Sequence, residues 1–122
     1  MNETKPLKYI KGVQVPATLY STYGYCSPHR FASYAYQIRE TLLAKPRSVL
    51  EVGPGNGVVT YVLRRAGVKV TVLDHDPDLG PDIVGSVTNI PLEPKAVDVA
   101  LCCQVLEHLP YKAFTVALKE LR

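Results

Sequence analysis

A chain of 122 residues, 47% hydrophobic and 20% charged, has room for one domain that buries roughly two-thirds of its unfolded surface. No apolar run approaches the ~20 residues that cross a bilayer, and Met1 to Pro6 lacks the apolar segment of a secretory signal, which points to the cytosol. A net charge of +3 carried by scattered lysines and arginines is too small to imply a nucleic-acid partner.

Residues 1–26 hold Tyr9, Tyr20, Tyr23 and Tyr25 among Gly12, Pro16 and Gly24 without a sustained period. They read as an irregular arm, with at most one short strand or helical turn. Tyrosines at this density pave a substrate mouth or simply pack with their hydroxyls wet. Ser27 followed by Pro28 is a helix start, and Phe31, Tyr34, Ala35, Ile38 and Leu42 then mark one apolar stripe of an amphipathic helix that ends before Pro46.

The chain is organised around residues 47–59. Val49, Leu50 and Val52 form a short apolar strand suited to burial on both faces of a parallel sheet, and Glu51 inside it needs a partner or a ligand. Gly53, Gly55 and Gly57 permit positive φ and a close backbone approach by a ligand. Val58, Val59, Val62, Leu63 and Ala66 predict the following helix, closed by Gly67. Val68, Val70, Val72 and Leu73 predict a second strand with Asp74 at its tip. A carboxylate there offers only acceptors, as the two donors of a ribose require; otherwise Asp74, His75, Asp76, Pro77 and Asp78 are turn formers. Asp82 to Gly85 predicts a third strand, with Ser86 and Val87 at its end. Ala96 to Cys103 predicts a fourth, with Gln104 first beyond the tip, where a doubly wound sheet binds ligands. Pro110 opens a last helix with Phe114, Ala117, Leu118 and Leu121 on one face. The expected fold is α/β: the N-terminal half of a doubly wound, Rossmann-like sheet in strand order 3-2-1-4, flanked by helices, with the arm at 1–26 and the core at 27–122.

Cys26, Cys102 and Cys103 are odd in number, and adjacent strand residues point to opposite faces, so buried thiols are expected. His29, His75 and His108 form no ligand spacing with them, and no metal is predicted.

The glycine string departs from the dinucleotide pattern G-x-G-x-x-G because residue 58 is Val. Glu51-x-Gly53-x-Gly55-x-Gly57 instead resembles motif I of the class I (Rossmann-like) S-adenosylmethionine-dependent methyltransferases. Val97-Asp98-Val99-Ala100-Leu101 followed by Gln104-Val105-Leu106-Glu107-His108-Leu109 is similar to that family's segment after strand four, especially in its small-molecule, type 11-like branch. The resemblance covers about residues 28–121. It implies S-adenosyl-L-methionine as cofactor, with Glu51, Gly53, Pro54, Gly55, Asn56 and Gly57 around the methionine end and the helix ahead of the strand partly roofing it. Asp74 and His75 stand at the ribose, Ser86 and Val87 at the adenine, and Gln104 in the pocket. Ser86 replaces the acidic residue usual at its position.

The implied activity is methyl transfer to a small-molecule acceptor, and no catalytic residue is named. His108 as a general base is weighed against a local capping role. The alternative is a methyltransferase-like binding or regulatory module. The family's complete sheet has seven strands, so the resemblance also implies a C-terminally incomplete core, expected either as a fragment of a longer protein or as a homodimer through strand 97–103 or helix 110–121, since an unpaired apolar edge is a template for pairing.

Overall fold

The structure, a computed structural model, describes residues 16–122. The part of the N-terminal arm that precedes Pro16, with Tyr9 and Gly12, lies outside the described residues. Two short 3-10 turns, Ala17–Ser21 and Tyr23–Cys26, lead into helix α1, Pro28–Leu43. Ser27 caps α1 by accepting the Arg30 N–H, with Pro28 in the first turn. Strand β1, Ser48–Val52, is followed by α2, Val58–Arg65, then β2, Lys69–Asp74, β3, Ile83–Val84, β4, Val99–Cys102, and α3, Tyr111–Glu120. The strands form one sheet in the order β3-β2-β1-β4, and every pairing is parallel. The order 3-2-1-4 with flanking helices is that of a Rossmann-like sheet.

The pleat sends successive residues of β1 to opposite faces, and both faces are covered. Val49 joins Val59, Leu63, Val68, Val70 and Val72, with Tyr34 and Ile38 of α1 packed against them. Leu50 and Val52 join Leu73, Val87 and Ala117, so α3 covers the second face. Side-chain carboxylates finish the strand edges. Asp98 accepts the N–H groups of Arg47 and Ser48 at the start of β1, bonds that hold its carboxyl below the ordinary carboxylate range. Asp82 accepts the Val72 N–H, while Arg64 of α2 reaches both Asp82 and the Val70 carbonyl.

Three boundaries and two helix faces differ from expectation. The fourth strand is Val99–Cys102, shorter than the expected Ala96–Cys103, because the Asp98 backbone N–H turns to Ser48 and its side chain caps β1. The third strand shrinks to Ile83–Val84 because Asp82 is spent on Val72 and Arg64. The residues before Cys26, expected to be irregular, contain the two 3-10 turns. In α1, Phe31 is 46% exposed and Ala35 and Leu42 face solvent, while Tyr34, Ile38 and Thr41 turn inward. Thr41 tolerates burial because its hydroxyl donates to the Gln37 carbonyl at 2.7 Å. In α3 only Ala117 is buried, with Phe114 and Leu118 exposed.

Leu63 is fully buried where α2 meets the sheet. Leu63→Ala is expected to lose about 2–5 kcal/mol of stability, whereas Leu43→Ala, at a site 61% exposed, should change it by no more than about 0.5 kcal/mol. Urea denaturation of both variants checks the contrast, and equal losses would contradict the packing described.

Candidate functional site

All four strands run the same way, so their C-terminal ends meet along one edge, and the turns beyond them are joined there. The Gly53 N–H donates to the Leu73 carbonyl at 2.9 Å, tying the β1 turn to the end of β2. The Gly85 N–H donates to the Asp74 carbonyl at 2.9 Å, tying the turn after β3 to the same strand end. Gly53, Gly55 and Gly57 all have positive φ, at +68°, +59° and +78°. A β-carbon at Gly53 would lie 2.6 Å from Cγ2 of Val105, so bare glycine is what lets the segment after β4 close against the turn. Along this edge the chain brings Gly53 to Gly57, Asp74, Ser86 and Gln104 to neighbouring turns.

Glu51 is 4% exposed, and its Oε2 accepts the Thr60 hydroxyl of α2 at 2.7 Å. Burial pushes the carboxyl above the ordinary carboxylate range, against the opposing pull of the Thr60 bond and the Arg64 charge. Asp74 is 8% exposed, and its Oδ1 accepts the Asp76 N–H at 2.8 Å. Its carboxyl is also raised, chiefly by burial. His75 is half-exposed, with Nδ1 3.8 Å from Asp74.

The remaining predicted residues are placed less openly. Asn56 is committed to structure: Oδ1 accepts the Val58 N–H at the start of α2, and Nδ2 donates to the Tyr25 carbonyl. Pro54 accepts the Gly57 N–H within the turn. Ser86 is exposed, but its Oγ accepts the Thr88 N–H and lies 2.7 Å from the Thr88 hydroxyl. The Val87 side chain is buried in the core, which leaves only its backbone for a ligand. Gln104 is exposed at φ +58°, the left-handed region that an L-residue adopts at a cost. His108 stands 3.9 Å from Glu107 in an exposed 3-10 turn. Cys26, Cys102 and Cys103 are free thiols, Cys102 pushed up to about 11 by burial. Among the described residues no cluster of His, Cys, Asp and Glu could hold a metal, and no helix is long and apolar enough to cross a membrane.

Sequence reasoning missed two neighbours of the turn. Asp76, read as a turn former, does cap the short 3-10 turn Pro77–Leu79, yet it is 4% exposed and bordered by the site. Tyr20 rests its ring against Gly55, with Cδ1 and Cε1 both 3.5 Å from where a β-carbon would stand. The Asp-x-Asp string marks Asp76 only as a turn, and no local signal singles out Tyr20 from the other tyrosines of the arm.

Residues 50–122 match the family described as a methyltransferase domain. The match spans more than half of the chain and carries the β1 turn, Asp74 and the segment after β4. The chain belongs to this family, in its class I, Rossmann-like form. Comparison with curated proteins and with solved structures gives no match.

The state of Glu51 yields a pH test. A carboxyl raised in the folded chain binds its proton more tightly there than unfolded, so its ionisation erodes stability as pH rises through the folded value. Glu51→Gln keeps an acceptor for Thr60 and removes the ionisation. Its stability relative to the parent should therefore be more favourable at pH 7 than at pH 4, measured by urea midpoints. The same difference at both pH values would place Glu51 in the ordinary range.

Proposed function

We propose that the chain binds S-adenosyl-L-methionine along the edge formed by the C-terminal strand ends, and that it transfers the cofactor's methyl group to a small-molecule acceptor. The observation that carries this is one juxtaposition: a three-glycine turn with positive φ between β1 and α2, fastened directly to the strand that ends in buried Asp74. Asp74 has an acceptor oxygen to offer a ribose diol. Gly53, Pro54, Gly55 and Gly57 give the amino-acid end room and backbone N–H groups at the start of α2.

The electrostatics point the same way. Glu51, Asp74 and Asp76 are all buried, in or just beyond the strands that end at the turn. Such surroundings favour a ligand bearing ammonium and sulfonium charges over a dinucleotide bearing a pyrophosphate. When bound, the cofactor supplies an already activated methyl group, so the chain's part is alignment and the exclusion of water. Gln104, held at positive φ beyond β4, is the pocket residue from the opposite side, and His75 borders the ribose position. The free thiols fit a reducing, cytosolic setting.

A second reading, a methyltransferase-like binding module, is favoured by one feature: the Ser86 hydroxyl is already engaged by Thr88, which leaves the adenine side to the backbone near Val87. Calorimetry with S-adenosylhomocysteine and, separately, NAD tests the binding on which the main reading depends. The expected result is binding of the first and none of the second; the reverse would overturn it. Asp74→Ala should weaken S-adenosylhomocysteine binding by on the order of 1.5–3 kcal/mol, the range for hydrogen bonds to a charged group. A loss below a few tenths of a kcal/mol in a folded variant would return Asp74 to a purely structural role.

A further inference from the structure

The segment before α1 lies outside the residues that match the family, yet it is fastened to the glycine turn. The Tyr25 carbonyl accepts both the Asn56 amide, at 3.2 Å, and the Tyr34 hydroxyl, at 3.2 Å. The Tyr20 and Tyr25 rings meet edge to face at 4.8 Å between centroids, and the Arg30 guanidinium lies over the Tyr25 ring, 3.9 Å from its centroid. Held this way, the Tyr20 ring lies over Gly55. Burial, and after it the charges of Tyr25, Asp74 and Asp76, push its phenol above the ordinary tyrosine range, against the pull of Arg30. Its hydroxyl makes no hydrogen bond among the described residues. Tyr23, by contrast, is 93% exposed.

We propose that residues 17–26 form a lid over the cofactor site and that Tyr20 is its contact residue, its ring covering the cofactor where the chain passes Gly55. The proposal rests on the S-adenosylmethionine reading above. A close-approach glycine leaves space above the backbone, and this ring fills that space from outside. A ligand entering along the turn displaces the ring and is covered when the ring returns. The Asn56 amide holds the Tyr25 end of the lid, while among the described residues the Tyr20 side chain is held by ring contacts.

Surface plasmon resonance with S-adenosylhomocysteine over the immobilised full chain tests it. Removing the cover should act on escape more than on entry, so Tyr20→Ala should dissociate about tenfold faster with association no slower. Tyr20→Phe keeps the ring and should stay within about threefold of the parent, as should Tyr23→Ala. Parent-like dissociation of Tyr20→Ala, or an equal change in Tyr23→Ala, would overturn the lid and leave the cofactor reading standing. Failure of the parent chain to bind would overturn both. A second measurement uses the unaltered chain, since the lid's tyrosines are cleavage points for chymotrypsin. Saturating S-adenosylhomocysteine should slow cleavage between Tyr20 and Tyr25, and an unchanged rate in a chain that binds the ligand would equally overturn the lid.

Discussion

Among the described glycines the tightest constraint is at Gly53, where a β-carbon would come within 2.6 Å of Val105. Van der Waals contact between carbon atoms is optimal near 3.5–4.0 Å, so no other residue fits without moving the segment after β4. That contact, with the Gly53 hydrogen bond to Leu73, brings the ends of β1, β2 and β4 to a common edge. Asp74 and Gln104 flank the turn for this reason. The site is a consequence of how closely three parallel strand ends are drawn together.

Around that edge the chain accepts an electrostatic cost. Glu51 and Asp74 are both carboxylates raised by burial, and Asp76 is buried beside them. A fold selected for stability alone would place apolar residues there. Each carboxylate instead keeps a partner that fixes its direction: Thr60 for Glu51, the Asp76 backbone for Asp74, the Asp78 backbone for Asp76. Oriented carboxylates at this edge would meet the proposed cationic cofactor with little left to reorganise on binding. The Tyr20 ring, lying on the same ground, reduces access of water to that field.

Much of this was legible from local pattern. The apolar run of β1, the alternating glycines and the tip position of Asp74 each follow from neighbours in sequence, and the strand order follows from the family resemblance they carry. Longer-range contacts were not legible. The α1 stripe was read about Phe31 and Leu42, but the helix turns Thr41 inward, because the Thr41 hydroxyl satisfies itself on the Gln37 carbonyl and hydropathy does not register that bond. The shortened fourth strand depends on Asp98 capping a segment fifty residues away. Tyr20 reaches Gly55 only through the docking of Tyr25 on Asn56 and Tyr34, and nothing near Tyr20 in sequence announces it.

On the proposed reading, the strand-end edge binds the adenosyl amino-acid cofactor. Amide chemical shifts recorded on the labelled chain during titration with S-adenosylhomocysteine test it residue by residue. The account predicts saturable shifts at Gly53 to Gly57, Asp74 to Asp76, Ser86 to Val87 and Gln104. Shifts confined instead to the groove that Leu92, Lys95 and Lys119 line at the other end of the sheet, or no shifts at all, would contradict it.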